Sequence, residues 1–90
     1  MNPVRPWYDT YVLLSEKTGE FYTGSTADIK ERLEQHNKGL VTSTKYKRPL
    51  ELIYFEVGLN KDDAFRRERY LKTGMGKRYL KNRLKRGLTG

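Results

Sequence analysis

The sequence contains no cysteine, which excludes a disulfide framework and a cysteine-ligated zinc site and leaves the redox compartment undetermined. Nor does any stretch approach the ~20 apolar residues that a membrane-crossing helix requires. The opening residues, MNPVRPWYDTYV, lack the apolar run of a signal peptide, so a soluble, cytoplasmic protein is the expectation. Histidine occurs once, at His36, leaving a single side chain whose ordinary pKa lies near neutrality. No repeat, low-complexity run or interdomain linker interrupts the 90 residues. With 36% hydrophobic content they suit a single domain spanning 1–90, its core over about 8–73, near the lower size limit for folding without staples.

Negative charge is scarce where positive charge is dense. Residues 1–60 hold eight Lys/Arg and eight Asp/Glu, whereas residues 61–90 hold eleven Lys/Arg against Asp62, Asp63 and Glu68. The whole excess of +8 therefore lies in the last third. A one-sided positive field suits a polyanion binder, because each phosphate neutralised releases counterions. A merely solubilising basic surface, or one that meets an anionic membrane, is the bland alternative.

Asp9–Ser15 and Glu20–Gly24 are rich in Tyr, Val, Leu and Phe around the turn-forming EKTG and read as a β-hairpin. Ser25, with Asp28 three residues on, reads as the cap of a first helix from about Thr26 to Lys38, and Gly39 as its stop. A polar loop, Leu40 to Arg48, leads through Pro49 into a third strand, LELIYFEV. A second helix opens at Asn60 and ends before Gly74, and a basic third helix covers about 77–86. This order implies an α+β domain, a small three-stranded antiparallel sheet flanked by three helices.

Within that frame some side chains stand in unexpected places. At helical spacing Glu68 shares an arc with Ala64, Phe65 and Leu71, where a carboxylate needs a partner. A salt bridge to Arg32 or Lys72 would supply one, and a bound metal ion another. Arg32 and His36 share a face beside the stripe of Ile29 and Leu33. Arg32 could pair locally with Asp28 or hold phosphate oxygens in its planar fork; His36 could be a solvated residue suited to the helix C-terminus or a proton carrier. Tyr11 and Tyr22 lie on the two strands of the hairpin, and each taken singly reads as a core tyrosine. Together the five groups meet the needs of metal-assisted phosphodiester hydrolysis: a cation on the phosphate, a positive donor, and a means of deprotonating water.

The spacings add a resemblance. DTY, then YTG with its tyrosine eleven residues after the first, an arginine ten further on, HN four later and then AFRRERYLK together resemble the GIY-YIG nuclease family over about residues 8–85. The likeness is to its small stand-alone members and to the N-terminal nuclease domain of the bacterial excision-repair incision enzyme. It implies a catalytic set of Tyr11, Tyr22, Arg32, His36 and Glu68. Tyr11 would help activate water, Tyr22 would bind the nucleophile or the phosphate, Arg32 would stabilise charge and His36 would assist proton transfer. Glu68 would ligate a single Mg2+ or Mn2+. Gly24 would allow close backbone approach. The first triplet departs from the family in reading Asp9-Thr10-Tyr11 instead of Gly-Ile-Tyr, which puts a side chain where the family usually has none at the first position.

The reading that follows is a metal-dependent endonuclease acting on DNA, with a preference for a structure or for single strands; the sequence does not separate DNA from RNA. Lys45, Tyr46, Lys47 and Arg48 of the loop and Lys72, Lys77 and Arg78 of the basic last third would grip the substrate, Tyr46 by stacking on an exposed base. A role in DNA repair and a protein partner for targeting belong to the same expectation, and a membrane partner does not. The alternative is a non-catalytic nucleic-acid-binding module on the same fold, and all five catalytic side chains being present weighs against it.

Overall fold

The computed structural model describes residues 7–84. Strands β1 (Tyr8–Ser15), β2 (Phe21–Thr26) and β3 (Leu50–Gly58) form one antiparallel sheet in the order β2-β1-β3. β1 is therefore the central strand, which explains why Asp9 through Leu13 are buried without alternation. Among the described residues, helices α1 (Ile29–Asn37), α2 (Lys61–Leu71) and α3 (Gly74–Arg83) accompany the sheet, with a 3-10 turn at Lys45–Lys47. Among the described residues no helix is long and apolar enough to cross a membrane.

The sheet separates two apolar clusters. On one face Tyr11, Leu13 and Leu50 pack with Tyr22, Leu52 and the α1 residues Ile29 and Leu33. On the other, Val12 packs with Leu71 of α2, Leu80 of α3, Phe21, Ile53, Tyr54 and Tyr79. Val12, Leu13, Leu71 and Leu80 are fully buried, each stabilising the fold by roughly 1.5–3 kcal/mol relative to exposure. A bulge in β3 makes the division possible: Val12 pairs with Tyr54 but Leu13 with Leu52, leaving Ile53 as the extra residue. Leu52 thus joins the α1 face while Ile53 and Tyr54 both join the other.

Two helix starts differ from the expectation. Ser25 does not cap α1: β2 runs on to Thr26, and Asp28 is the N-cap, its carboxylate accepting the Glu31 amide at 3.1 Å. A serine in a strand edged by a helix has a competing partner, and the Ser25 hydroxyl is spent on α2. Helix α3 begins earlier than expected, at Gly74, because Thr73 caps it by accepting the Gly76 amide at 3.1 Å. Gly76 stands where α3 crosses α2: a Cβ there would collide with the Tyr70 carbonyl and stand 2.5 Å from Leu71 Cα, whereas Gly74 faces open space. The expected extension to residue 86 lies outside the described residues. Asn60 caps α2 as expected, accepting the Asp63 amide at 2.9 Å.

Candidate active site

Tyr11 is set by the central strand, and its register partner across β2 is Gly24. Opposed residues of an antiparallel pair project from the same face, so a side chain at 24 would compete with the phenol for space. A Cβ built there would lie 2.5 Å from Tyr11 Oη and 2.7 Å from Cζ. The glycine of the second triplet is thus the floor on which the Tyr11 ring rests. Tyr22, two residues earlier on the same face, is half-buried, with its ring centroid 6.5 Å from that of Tyr11 and 5.1 Å from that of His36.

Helix α1 delivers Arg32 and His36 to the same place. Its end is closed by a left-handed Gly39, φ 79°, whose amide reaches the His36 carbonyl while the Leu40 amide reaches that of Gln35. Asn37 then clamps the helix to β3, donating to the Leu50 carbonyl at 3.0 Å and accepting the Leu50 amide at 2.9 Å. Held between these two fixtures, His36 is completely buried. Of the two readings of His36, the solvated residue at a helix end is excluded: Thr44 of the loop after Gly39 bonds to the ring, and Tyr11 and Tyr22 of the sheet pack against it.

Inside this enclosure polar groups form a chain. Arg32 Nε donates to Tyr11 Oη at 3.4 Å, Tyr11 Oη and His36 Nε2 are hydrogen-bonded at 2.9 Å, and His36 Nδ1 and Thr44 Oγ1 at 2.7 Å. Arg32 is steadied by Gln35 at 3.0 Å, and Asp28, spent on its cap, does not pair with it. Burial drives the electrostatics. It raises the pKa of the Tyr11 phenol above 10, an effect opposed by the Arg32 hydrogen bond. Burial also lowers His36 to about 4, and the Arg32 charge adds to the fall. Arg32 itself is raised, first by its hydrogen bond with Tyr11. At neutral pH the chain is therefore a cation, a neutral phenol and a neutral imidazole.

Glu68 approaches from α2. It is not in a greasy pocket, as the helical arc suggested, since Phe65 on that arc is 40% exposed and the Glu68 side chain 20%. Its notch is polar: Ser25 of the edge strand donates to Oε1 at 2.6 Å and Lys72 to Oε2 at 2.7 Å. Of the two salt bridges considered for it, the structure has the one to Lys72. The Glu68 charge also contributes to raising the Tyr11 pKa, which places the carboxylate within electrostatic reach of the phenol.

The residues expected to grip nucleic acid lie at the end of α2, on α3 and in the loop before β3. Lys72 and Lys77 line, with Tyr22 and Thr23, a groove of about 230 Å3, and Lys77 continues with Lys81 and Lys47 into another of about 390 Å3. Arg78 is exposed on α3, and Tyr46 is 75% exposed beside the Lys45 ammonium. Lys47 and Arg48 are partly engaged, Lys47 with Glu20 at 3.0 Å and Arg48 with the Lys45 carbonyl at 2.8 Å. Sequence reasoning missed Thr44, Ser25 and Asn37. Only Asn37, adjacent to the histidine in the HN pair, carried any signal; the other two acquire their partners through contacts 8 and 43 residues away.

The comparison with known proteins agrees with this geometry. The GIY-YIG catalytic domain matches residues 7–86. A UPF0213 protein of Staphylococcus saprophyticus is 39% identical over 66 residues, covering 72% of this chain and 80% of the relative. Another, from Staphylococcus aureus, is 41% identical over 56 residues, 61% of this chain and 68% of the relative. A three-stranded sheet that gathers two tyrosines, an arginine and a histidine under a match spanning nearly the whole chain places this protein in the GIY-YIG nuclease family.

Proposed function

We propose that the protein is a divalent-metal-dependent endonuclease that hydrolyses DNA phosphodiester bonds, with Mg2+ or Mn2+ as its ion and single-stranded or branched DNA as its preferred substrate. The observation that carries this reading is the buried chain from Arg32 through Tyr11 to His36, with the Glu68 carboxylate of α2 near enough to act on the Tyr11 charge. Nucleic-acid binding by itself does not call for an imidazole lone pair held against a phenol, whereas passing a proton from water does. Among the described residues no three His, Asp or Glu side chains form a metal cage. A hard ion that keeps most of its waters and takes phosphate oxygens needs only one or two carboxylates. Glu68 fits that mode, since it is partly open, has the Ser25 hydroxyl beside it, and shares its second oxygen with a lysine that is 52% exposed and free to swing away.

The bound ion would polarise the phosphate and lower the pKa of a coordinated water. The protein's own part is proton and charge management. A water attacking phosphorus gives its proton to Tyr11 Oη as the phenol proton passes to His36 Nε2. The new P–O bond forms as the bond to the leaving sugar oxygen breaks, and solvent protonates that oxygen. An anionic phosphate beside the site favours this transfer, because it opposes the Arg32 charge that disfavours imidazolium. Arg32 donates to phosphate oxygens as charge builds on them. Tyr22 lines both the site and the lysine groove and guides the scissile phosphate inward.

The test is an incision assay on single-stranded, duplex and branched DNA and on RNA with Mg2+ or Mn2+, comparing the wild type with Glu68→Ala and Tyr11→Phe. Both variants are expected to bind and to cut at least 100-fold more slowly. Full activity in Glu68→Ala overturns the metal assignment. Wild-type binding with no cleavage under any metal establishes the binding module instead. Capture of a targeting protein from cells and survival after DNA damage address the repair role.

A further inference from the structure

Thr44 lies in the loop between α1 and β3, is completely buried, and meets His36 Nδ1 at 2.7 Å. The catalytic set already described does not include it. Hydrogen-bond accounting determines what it does. Tyr11 is 1% exposed, and its Oη already receives the Arg32 Nε–H, so its own proton needs an acceptor. Among the described residues that acceptor is His36 Nε2. If Nε2 accepts, a neutral imidazole carries its proton on Nδ1, and that proton goes to Thr44 Oγ1. The Thr44 hydroxyl proton then turns to the Val41 carbonyl at 3.5 Å, inside the turn that the Thr44 amide closes on the same carbonyl at 3.1 Å. In this arrangement every buried donor has a partner. In the other tautomer the Tyr11 hydroxyl proton has no acceptor among the described residues.

We infer that Thr44 is a positioning residue: by accepting the Nδ1 proton it fixes His36 as the tautomer whose Nε2 lone pair faces Tyr11, and so sets the direction in which the phenol proton can move. The Tyr11 proton leaves Oη for Nε2, and the Nδ1–H bond to Thr44 becomes charge-assisted as imidazolium forms. Without the Thr44 acceptor, Nδ1 would have no hydrogen-bond partner among the described residues, and the proton would settle on Nε2, pointing at Tyr11 and blocking the transfer. The same short loop presents Lys45 and Tyr46 to solvent, so the segment that meets the substrate is also the one that orients the histidine.

The kinetic consequence rests on the nuclease reading; the tautomer does not, and the two are measured separately. Long-range 1H–15N correlation spectra of the full chain at pH 7 assign the protonated nitrogen of His36. The expected result is Nδ1–H in the wild type and in Thr44→Ser, and Nε2–H in Thr44→Val. On the incised substrate Thr44→Val is expected to lose about 100-fold in kcat with KM within twofold, and Thr44→Ser to recover most of it. A wild-type spectrum showing Nε2–H overturns the inference without recourse to any variant. So does Thr44→Val that retains Nδ1–H, or that switches tautomer and still cuts at the wild-type rate.

Discussion

Replacing Gly24 with alanine adds one methyl group at the point where β2 supports the Tyr11 phenol. The new Cβ would stand 2.5 Å from Oη and 2.7 Å from Cζ, whereas ordinary contact begins near 3.4 Å, so the ring must retreat by almost 1 Å. It has nowhere convenient to go, being packed by Leu13, Leu50, Ile29 and Leu33 and bonded to His36 at 2.9 Å. The bond from Arg32, already 3.4 Å, has no slack. Overpacking of this kind costs about 1–3 kcal/mol, offset by up to ~1 kcal/mol because alanine restricts the unfolded chain and Gly24 does not require positive φ. The net expectation is a folded protein destabilised by roughly 1–2 kcal/mol, read by chemical denaturation. Activity should suffer more, since a misplacement near 1 Å at a reacting group is worth about 100-fold in rate. Tyr11→Phe in the same background removes the nearest atom and should return part of the stability but none of the activity. Single-turnover cleavage by Gly24→Ala within threefold of wild type would refute the argument that this glycine exists to seat the phenol.

His36 makes stability depend on acidity: the unfolded chain takes up a proton near 6.5 that the folded chain refuses until about 4. Its contribution is complete above pH 6.5 and is lost as pH falls through that window, up to about 3 kcal/mol for a fully buried ring. Denaturation curves from pH 7 to 4 on wild type and His36→Gln measure the difference, and equal slopes would contradict it. Gly76→Ala should destabilise by about 2–3 kcal/mol or more, because its Cβ meets the backbone of α2 and not a movable side chain; a melting temperature within 2 °C of wild type would show that the helices part easily. Lys72→Ala should change stability by less than ~1 kcal/mol, since its pair with Glu68 is half-exposed, yet it should tighten Mn2+ binding measured by titration calorimetry by freeing the carboxylate oxygen. Unchanged metal affinity would show that Lys72 does not compete for that oxygen. Nucleic-acid affinity should fall steeply with salt, as expected for a grip built from Lys72, Lys77, Arg78 and their neighbours, and a flat response would contradict it.

What the amino-acid order determined by itself was local and periodic. The hairpin, β3, the Asn60 cap and the Gly39 stop follow from turn chemistry, branched residues and capping that act within a few positions. The grouping of Tyr11, Tyr22, Arg32 and His36 was legible too, because strand register and one helical turn place each on a known face, and the motif spacing identified the set. Tertiary structure alone decided what those groups are. Whether His36 is wet or dry depends on a loop folding back over it, and with that its neutrality and its bond to Thr44. Whether Ser25 caps a helix or holds Glu68 depends on α2, forty-three residues away. Burial and hydrogen-bond partnership are properties of neighbours in space, so pKa, tautomer and the setting of the carboxylate emerge only once the sheet and helices have closed around them.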